Sequence, residues 1–392
     1  MNTETIDHCQ VEWFEEGPLY FQHYLDLIAS AQRSIHLQTY IFEMDDFGKA
    51  VQKALIEAAI RSVKIYVLVD SFGSLSLSEN FSNELTKKNV QFARFNSPHF
   101  KWLWQWGRRL HHKVLLIDEE KSLIGGINVM SNSFRRKEVS PQLDFAVQLT
   151  GAINTSLSKY CQKLFDRASG KKPSFRSLKV WSLPNNKNNL NLRISINDWF
   201  LRRRQIAKHY SWLVKNARSE IVIVSSYFFP RRKLMRQLRK AARNGVRVRL
   251  ILPKYSDWQI SVWATQYLYT YFLRNRIEIY LWKQSILHGK LASIDGLYTS
   301  VGSFNLHYTS YQQNLEMNVD IRSESFTKNI NLKIENWISN GCEKIDQETF
   351  NKSASLKLRF LRYFCFLLLS LLEGFSLGWS LQSSRTRNQM LN

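Results

Sequence analysis

The sequence predicts an α/β protein built from two copies of one α/β/α domain, related by a pseudo-two-fold axis and sharing one site between them. Three observations carry this. Strand-like and helix-like segments alternate in the same order in each half, a polar signature recurs at the matching place in each, and short wholly apolar runs separate the helical stretches. Such runs predict strands buried on both faces beside parallel neighbours.

In the first half, SIHLQTYIF (34–42) reads as a strand, GKAVQKALIEAAIRS (48–62) as a helix and VKIYVLVD (63–70) as the next strand. NVQFARF (89–95), KVLLID (113–118), KSLIGGINV (121–129) and DFAVQLTG (144–151) read as further strands. The second half repeats the plan with EIVIVSSYFF (220–229), RKLMRQLRKAARNG (232–245) and VRVRLILP (246–253). RIEIYLW (276–282), KLASID (290–295), LYTSVGSFN (297–305) and NLEMNVDI (314–321) follow. Aligning TYIF with SYFF, and VKIYVLVD with VRVRLILP, sets the repeat. An Asn/Ser/Lys/Pro-rich stretch from about Arg167 to Asn191 reads as the join. The expected boundaries are a first domain at 1–170, a linker at 171–195, a second domain at 196–350 and a basic, apolar tail at 351–392.

The chain of 392 residues carries a formal charge of +23, which favours polyanionic partners, either nucleic acid or an anionic membrane surface. Its 12 Trp and 13 % aromatic content tilt that choice toward a lipid interface, where amphipathic rings settle. Cys9, Cys161, Cys342 and Cys365 show no metal or disulfide spacing, which fits a reducing compartment. The polar, acidic N-terminus reads as neither a signal peptide nor an anchor. In the tail, the apolar run Tyr363–Leu372 is too short to span a bilayer and is followed by Glu373. Flanked by Lys357, Arg359 and Arg362, it reads as an interfacial or re-entrant anchor or as a packing helix, with a span that takes in Glu373 as the third alternative.

The chemistry lies in the repeated signature. His111, Lys113 and Asp118 have the spacing H-x-K-x4-D, followed by Gly125, Gly126 and Asn128; His288, Lys290 and Asp295 repeat it, followed by Gly302, Ser303 and Asn305. Strand alternation puts each His and Lys on one face, so two such strands would converge two imidazoles and two ammonium groups on one cleft. Lys113, Lys290, Asn128, Ser303 and Asn305 suit phosphoryl oxygens, with one imidazole to attack and the other to move protons. The attacking ring needs an acceptor on its other nitrogen, and Glu316 and Asp144, at comparable places after each signature, are the candidates. Plain strand-end acids are the competing reading for both. Asp118 and Asp295 join the candidate catalytic set, with turn-capping as their alternative.

These residues resemble the phospholipase D superfamily, whose mark is a duplicated H-x-K-x4-D followed by G-[GS]-x-N. The likeness covers about residues 15–345, and IGGINV with VGSFNL looks most like bacterial cardiolipin synthases of the short type without N-terminal membrane helices. The resemblance implies one active site between two phospholipase D-like domains and a phosphohistidine intermediate. It also implies transfer of a phosphatidyl group between two phosphatidylglycerols with release of glycerol, and no metal or other cofactor. It assigns nucleophile and acid/base to His111 and His288, with His111 the preferred nucleophile and His288 the alternative. HYTS after Asn305, with His307 and Thr309, departs from the D-x-R-S of many such synthases.

The expected partners are anionic phospholipids, phosphatidylglycerol and cardiolipin, at the cytoplasmic face of the cell membrane, with peripheral or monotopic attachment. Trp102, Trp104 and Trp106 are the candidate membrane contacts. A hydrolytic phospholipase D shares every catalytic residue. A nuclease of the same superfamily would use the basic runs at 135–137, 202–204 and 231–233. A non-catalytic membrane scaffold is disfavoured because both signatures are complete.

Overall fold

The structure is a computed structural model that describes residues 3–96, 108–131, 142–171, 191–198, 203–256, 258–348, 350 and 355–371. Each half is one sheet with helices on both faces, as the repeat predicts.

The first half contributes β1 (Thr3–Ile6), β2 (Cys9–Glu15), α1 (Pro18–Ser30), β3 (Ser34–Thr39), α2 (Asp46–Ile60), β4 (Lys64–Asp70), α3 (Glu79–Lys87) and β5 (Gln91–Phe95). β6 (Lys113–Ile117), β7 (Lys121–Gly125), β8 (Phe145–Thr150) and α4 (Ile153–Ala168) complete it. The second half contributes β9 (Leu192–Asp198), β10 (Arg203–Arg204), α5 (Gln205–Asn216), β11 (Glu220–Ser225), α6 (Arg232–Arg243), β12 (Arg247–Pro253), α7 (Gln259–Arg274) and β13 (Ile277–Trp282). β14 (Lys290–Ile294), β15 (Tyr298–Gly302), α8 (Tyr308–Gln312), β16 (Glu316–Arg322), α9 (Glu324–Gly341) and β17 (Cys342–Lys344) end it. The strand orders are β1-β2-β8-β7-β6-β3-β4-β5 and β10-β9-β16-β15-β14-β11-β12-β13-β17. Removing the outermost β1, β10 and β17 leaves the same order twice.

Three expectations need correction. The sheets are mixed: β3-β4-β5 and β11-β12-β13 run parallel, but β6, β7 and β8, and their counterparts, pair antiparallel. The apolar runs are buried on both faces as expected, but a turn as short as that between Ile117 and Lys121 can make only a hairpin, so these strands run antiparallel. Second, the bridges Phe42–Val129 and Phe228–Leu306 follow the matched Asn128 and Asn305, so Tyr40 corresponds to Ser226 rather than to Tyr227. Third, β9 begins at Leu192, within the last residues of the expected linker, and pairs with β16. β2, inside the N-terminal segment, pairs with β8 as β9 does with β16.

One apolar core joins the halves. Val114, Ile124, Phe145 and Val147 of the first sheet pack with Leu291, Val301, Met317 and Val319 of the second. Trp337 of α9 stacks on Phe145 at 5.0 Å across this seam. α1, α2 and α3 cover the far face of the first sheet, and α5, α6 and α7 that of the second. A C-terminal helix over residues 356–371 lies on α7, burying Cys365 and Leu369. Among the described residues no helix is long and apolar enough to cross a membrane.

Candidate active site

The signatures meet through backbone exchange. Leu110, just before His111, bridges Leu315, just before Glu316; Leu287, just before His288, bridges Leu143, just before Asp144. The Leu315 carbonyl accepts from the N–H groups of His111 and His112 at 2.9 and 3.0 Å, while Leu315 donates to Arg109 O at 2.8 Å. In mirror fashion the Leu143 carbonyl accepts from His288 and Gly289 at 3.0 and 2.8 Å, and Leu143 donates to Ile286 O at 2.9 Å. Each histidine is therefore held against the carboxylate strand of the other half.

The side chains follow. His111 Nδ1 lies 2.9 Å from Glu316 Oε2, and His288 Nδ1 lies 2.6 Å from Asp144 Oδ2. Burial pushes the His111 imidazole down to about 4, against the pull of Glu316, and Lys113 and Lys290 lower it further. Burial raises the Glu316 carboxyl, but His111 and Lys113 outweigh it and hold the group at about 2. The pair is thus a neutral imidazole donating Nδ1–H to a carboxylate, which leaves the Nε2 lone pair for chemistry. His288 is likewise lowered, chiefly by burial and then by Lys290; Asp144 is held low by Lys290 and His288 despite its burial.

The carboxylates are not equally supported. Glu316 also accepts from Ser303 Oγ at 2.5 Å, Ser310 Oγ at 2.6 Å and Asn314 Nδ2 at 3.2 Å. Asp144 accepts from Phe145 N at 2.8 Å and sits where a Cβ on Gly126 would meet its Oδ1 at 2.2 Å. Gly126 and Ser303 occupy equivalent positions, so one half uses the space for a carboxylate and the other for a hydroxyl. Glu16 lies near Asp144, and burial and then that charge push its carboxyl well above the usual range.

Lys113 Nζ donates to His111 O at 2.6 Å, and Lys290 Nζ donates to His288 O. Burial, and then Lys290, bring the Lys113 ammonium down to about 7. Asn128 Oδ1 accepts from Ile41 N at 3.1 Å and Asn305 Oδ1 from Ser226 Oγ at 2.8 Å, so the amide NH2 is the end available to an acceptor. The buried Asn305 Nδ2 has no partner among the described residues, which suits a phosphoryl oxygen. Tyr40 leans on His111 with ring centroids 5.1 Å apart, and Ser226 is its counterpart beside the other signature. His307 feels Glu316, His111 and Lys290 electrostatically, is lowered to about 4 mainly by burial, and pairs its Nδ1 with Thr309 Oγ1 at 2.7 Å.

Asp118 and Asp295 do not join this cluster; they stand where their turn-capping alternative would put them. Each sits past the far end of a five-residue strand from its lysine, about 16 Å away at the strand rise. Asp118 accepts from the N–H groups of Gln32, Arg33 and Ser34, and Asp295 from those of Arg218, Ser219 and Glu220. Each has positive φ, as does the next residue, in the tight hairpin turn that ends its strand. His112 faces the core instead, with Nε2 2.8 Å from Gln38 Oε1.

The histidines, lysines, asparagines and both carboxylates singled out by the spacing lie together here, but the exchange of the carboxylates between halves was not foreseen. Tyr40, Ser310 and Asn314, which no spacing pattern marks, were not foreseen either. Trp102, Trp104 and Trp106 lie outside the described residues, as do 351–354 and 372–392 of the tail. Among the described residues no three of His, Cys, Asp and Glu are grouped as metal ligands would be.

The family described as "Cardiolipin synthase, PLD-like domain" matches residues 24–167 and again 211–338, the two halves defined by the sheets. Cardiolipin synthase B of Escherichia coli K12 is 31 % identical over 365 residues, covering 91 % of this chain and 88 % of that protein. A Clostridium perfringens cardiolipin synthase is 27 % identical, covering 90 % and 75 %. Among solved structures, phosphatidylserine synthase of Haemophilus influenzae superposes with a TM-score of 0.70 over 93 % of this chain and 94 % of its own, at 14 % identity, a likeness of fold. Two matched halves and an extended similarity to synthases agree with the paired signatures: the chain belongs to the cardiolipin synthase family and is a phosphatidyltransferase of the phospholipase D superfamily.

Proposed function

We propose that the protein joins two phosphatidylglycerol molecules into cardiolipin and glycerol, at a membrane surface, through a phosphohistidine. The observation that carries this is the pair of imidazoles, each fixed at Nδ1 by a buried carboxylate from the opposite half. Two such rings facing one phosphate suit a two-step displacement: one to bond phosphorus, one to shuttle the proton.

His111 is the nucleophile in this reading, because three further side-chain donors fix its Glu316 partner in place, so that its Nδ1–H is the more firmly held and its Nε2 the better aimed. His111 Nε2 bonds to phosphorus as the P–O bond to glycerol breaks. His288, protonated in the presence of the phosphate anion, gives its proton to the departing alkoxide. The hydroxyl of the second phosphatidylglycerol then returns a proton to His288 as its oxygen attacks phosphorus and frees His111. Lys113, Lys290, Asn128 and Asn305 surround the phosphoryl oxygens, while Ser303, expected there too, gives its hydroxyl proton to Glu316 and acts through that carboxylate. Attachment to the membrane is peripheral, and the aromatic outer face of the C-terminal helix supports it.

Purified protein incubated with phosphatidylglycerol vesicles tests the reading. Cardiolipin and glycerol in equal amounts are expected, with an acid-labile phosphohistidine on rapid quenching and no loss of turnover in EDTA. Phosphatidic acid as the main product would make the enzyme a hydrolase, and cleavage of nucleic acid without lipid turnover would make it a nuclease.

A further inference from the structure

Two basic runs that are far apart in sequence meet in space, away from the histidine pair. Arg204, ending β10, and Arg231 to Lys233, opening α6, line one cavity of about 950 Å³ that also takes in Lys208 of α5. Its floor is apolar, from Phe229, Leu234 and Leu268, and the C-terminal helix walls one side with Phe366 and Leu367. No acidic residue is among its lining residues. α6 begins without a side-chain cap and without an acid in its first turn, so the positive helix end adds to the same field.

The cavity also touches the catalytic apparatus through α8. The Arg231 guanidinium lies over the rings of Tyr308 and Tyr311 at 5.6 and 5.7 Å, and Arg204 donates to Gln312 at 2.8 Å. The same short helix carries Ser310, whose hydroxyl supports Glu316. None of the signature residues lines the cavity.

We propose that this cavity binds a non-reacting anionic phospholipid, its phosphate among Arg204, Lys208 and Arg231 and an acyl chain along Phe229, Leu268 and Phe366. The inference rests on the phospholipid reading above only for its choice of occupant. A cationic rim over an apolar floor complements an amphiphilic anion, whereas a nucleic-acid backbone has no use for the floor. The C-terminal helix turns Phe360, Phe364 and Leu371 outward, 71, 54 and 59 % exposed. An aromatic and aliphatic face of this kind beds into a bilayer interface, which brings lipid to the mouth of the cavity.

The test uses the full chain with phosphatidylcholine vesicles containing a few per cent of phosphatidic acid that bears a photoreactive acyl chain, and maps adducts by peptide mass spectrometry. Adducts are expected within 229–237 and 363–371. They should fall about tenfold or more in the Arg204→Glu, Lys208→Glu, Arg231→Glu variant, equivalent to some 1.4 kcal/mol of lost binding. Should that variant fail to fold, the wild-type adducts should instead be suppressed at about 1 M salt, where the Debye length shrinks to about 3 Å. Equal labelling by photoreactive phosphatidylcholine, adducts confined to the histidine cleft, or displacement by an oligonucleotide would overturn the proposal. His111→Ala should keep the adducts while losing transfer, so failure of this site and failure of the proposed reaction are read separately.

Discussion

His288 takes its orientation from Asp144, a residue 144 positions away in the other half, at 2.6 Å. The exchange is mirrored by His111 and Glu316, so each of these imidazoles depends on both halves. Asp144→Asn and Glu316→Gln should each lower kcat by about 10²–10⁴-fold with little change in KM, because the amide permits the wrong tautomer. Combining Glu316→Gln with His111→Ala should cost no more than His111→Ala alone. Steady-state kinetics on phosphatidylglycerol vesicles would decide it; additive losses would break the pairing.

Gly126→Ser tests the asymmetry of the two glycine turns. The new Cβ would meet Asp144 Oδ1 at 2.2 Å, so the carboxylate must move and His288 loses its support. A kcat loss and a destabilisation of about 1–3 kcal/mol are expected, measured by turnover and chemical denaturation. Ser303→Gly, the reciprocal change, removes one of four donors to Glu316 and should be milder in kcat.

Asp118→Ala and Asp295→Ala should act on stability. Each leaves N–H groups at the start of β3 or β11 without their acceptor, at about 1–3 kcal/mol. Turnover per folded molecule should stay within about threefold of wild type, since general acid–base roles cost far more when removed. A collapse of kcat at unchanged melting temperature would return these aspartates to the chemistry.

Acid should unfold the protein early. Burial lowers His36, His111 and His307 to about 4 and His112 to about 3. Their folded values lie below the unfolded imidazole value, so the unfolded chain binds the extra protons. Stability is full above about pH 6.5 and falls as pH drops toward about 4. Glu316, at about 2, adds to the loss only below about pH 4.5. Melting temperatures at pH 7.5, 6 and 5 should fall in that order; a flat series would contradict the buried neutral histidines.

Attachment to bilayers should follow the outer face of the C-terminal helix. Phe360→Ser with Phe364→Ser should reduce sedimentation with anionic vesicles about tenfold at an unchanged melting temperature. Leu369→Ser, on the buried face, should instead destabilise by about 2–4 kcal/mol.

Much of this was legible in the sequence because a duplication writes everything twice. The repeat foretold the two sheets, and the paired signatures foretold that the two His and two Lys come together. Sheet direction was not legible: an apolar run such as KVLLI is buried on both faces whether its neighbours run parallel or antiparallel. The exchange of carboxylates was also hidden. Asp144 and Glu316 stand in equivalent positions of the sequence, and only the bridges Leu110–Leu315 and Leu143–Leu287 send each to the opposite histidine. Tyr40 was obscured by aligning TYIF with SYFF one residue out of step.

The hairpin turns at Asp118 and Asp295 also explain a number in the signature. Four residues separate each lysine from its aspartate because that is the depth of the sheet, from the cleft edge to the turn that fastens β6 to β3 and β14 to β11. The spacer is a ruler: it records how deep the scaffold must be beneath the paired lysines, and the aspartate marks where the measurement stops. An insertion of one residue there would leave every reactive group present in the sequence, yet turn the lysine from the cleft to the opposite face of its strand.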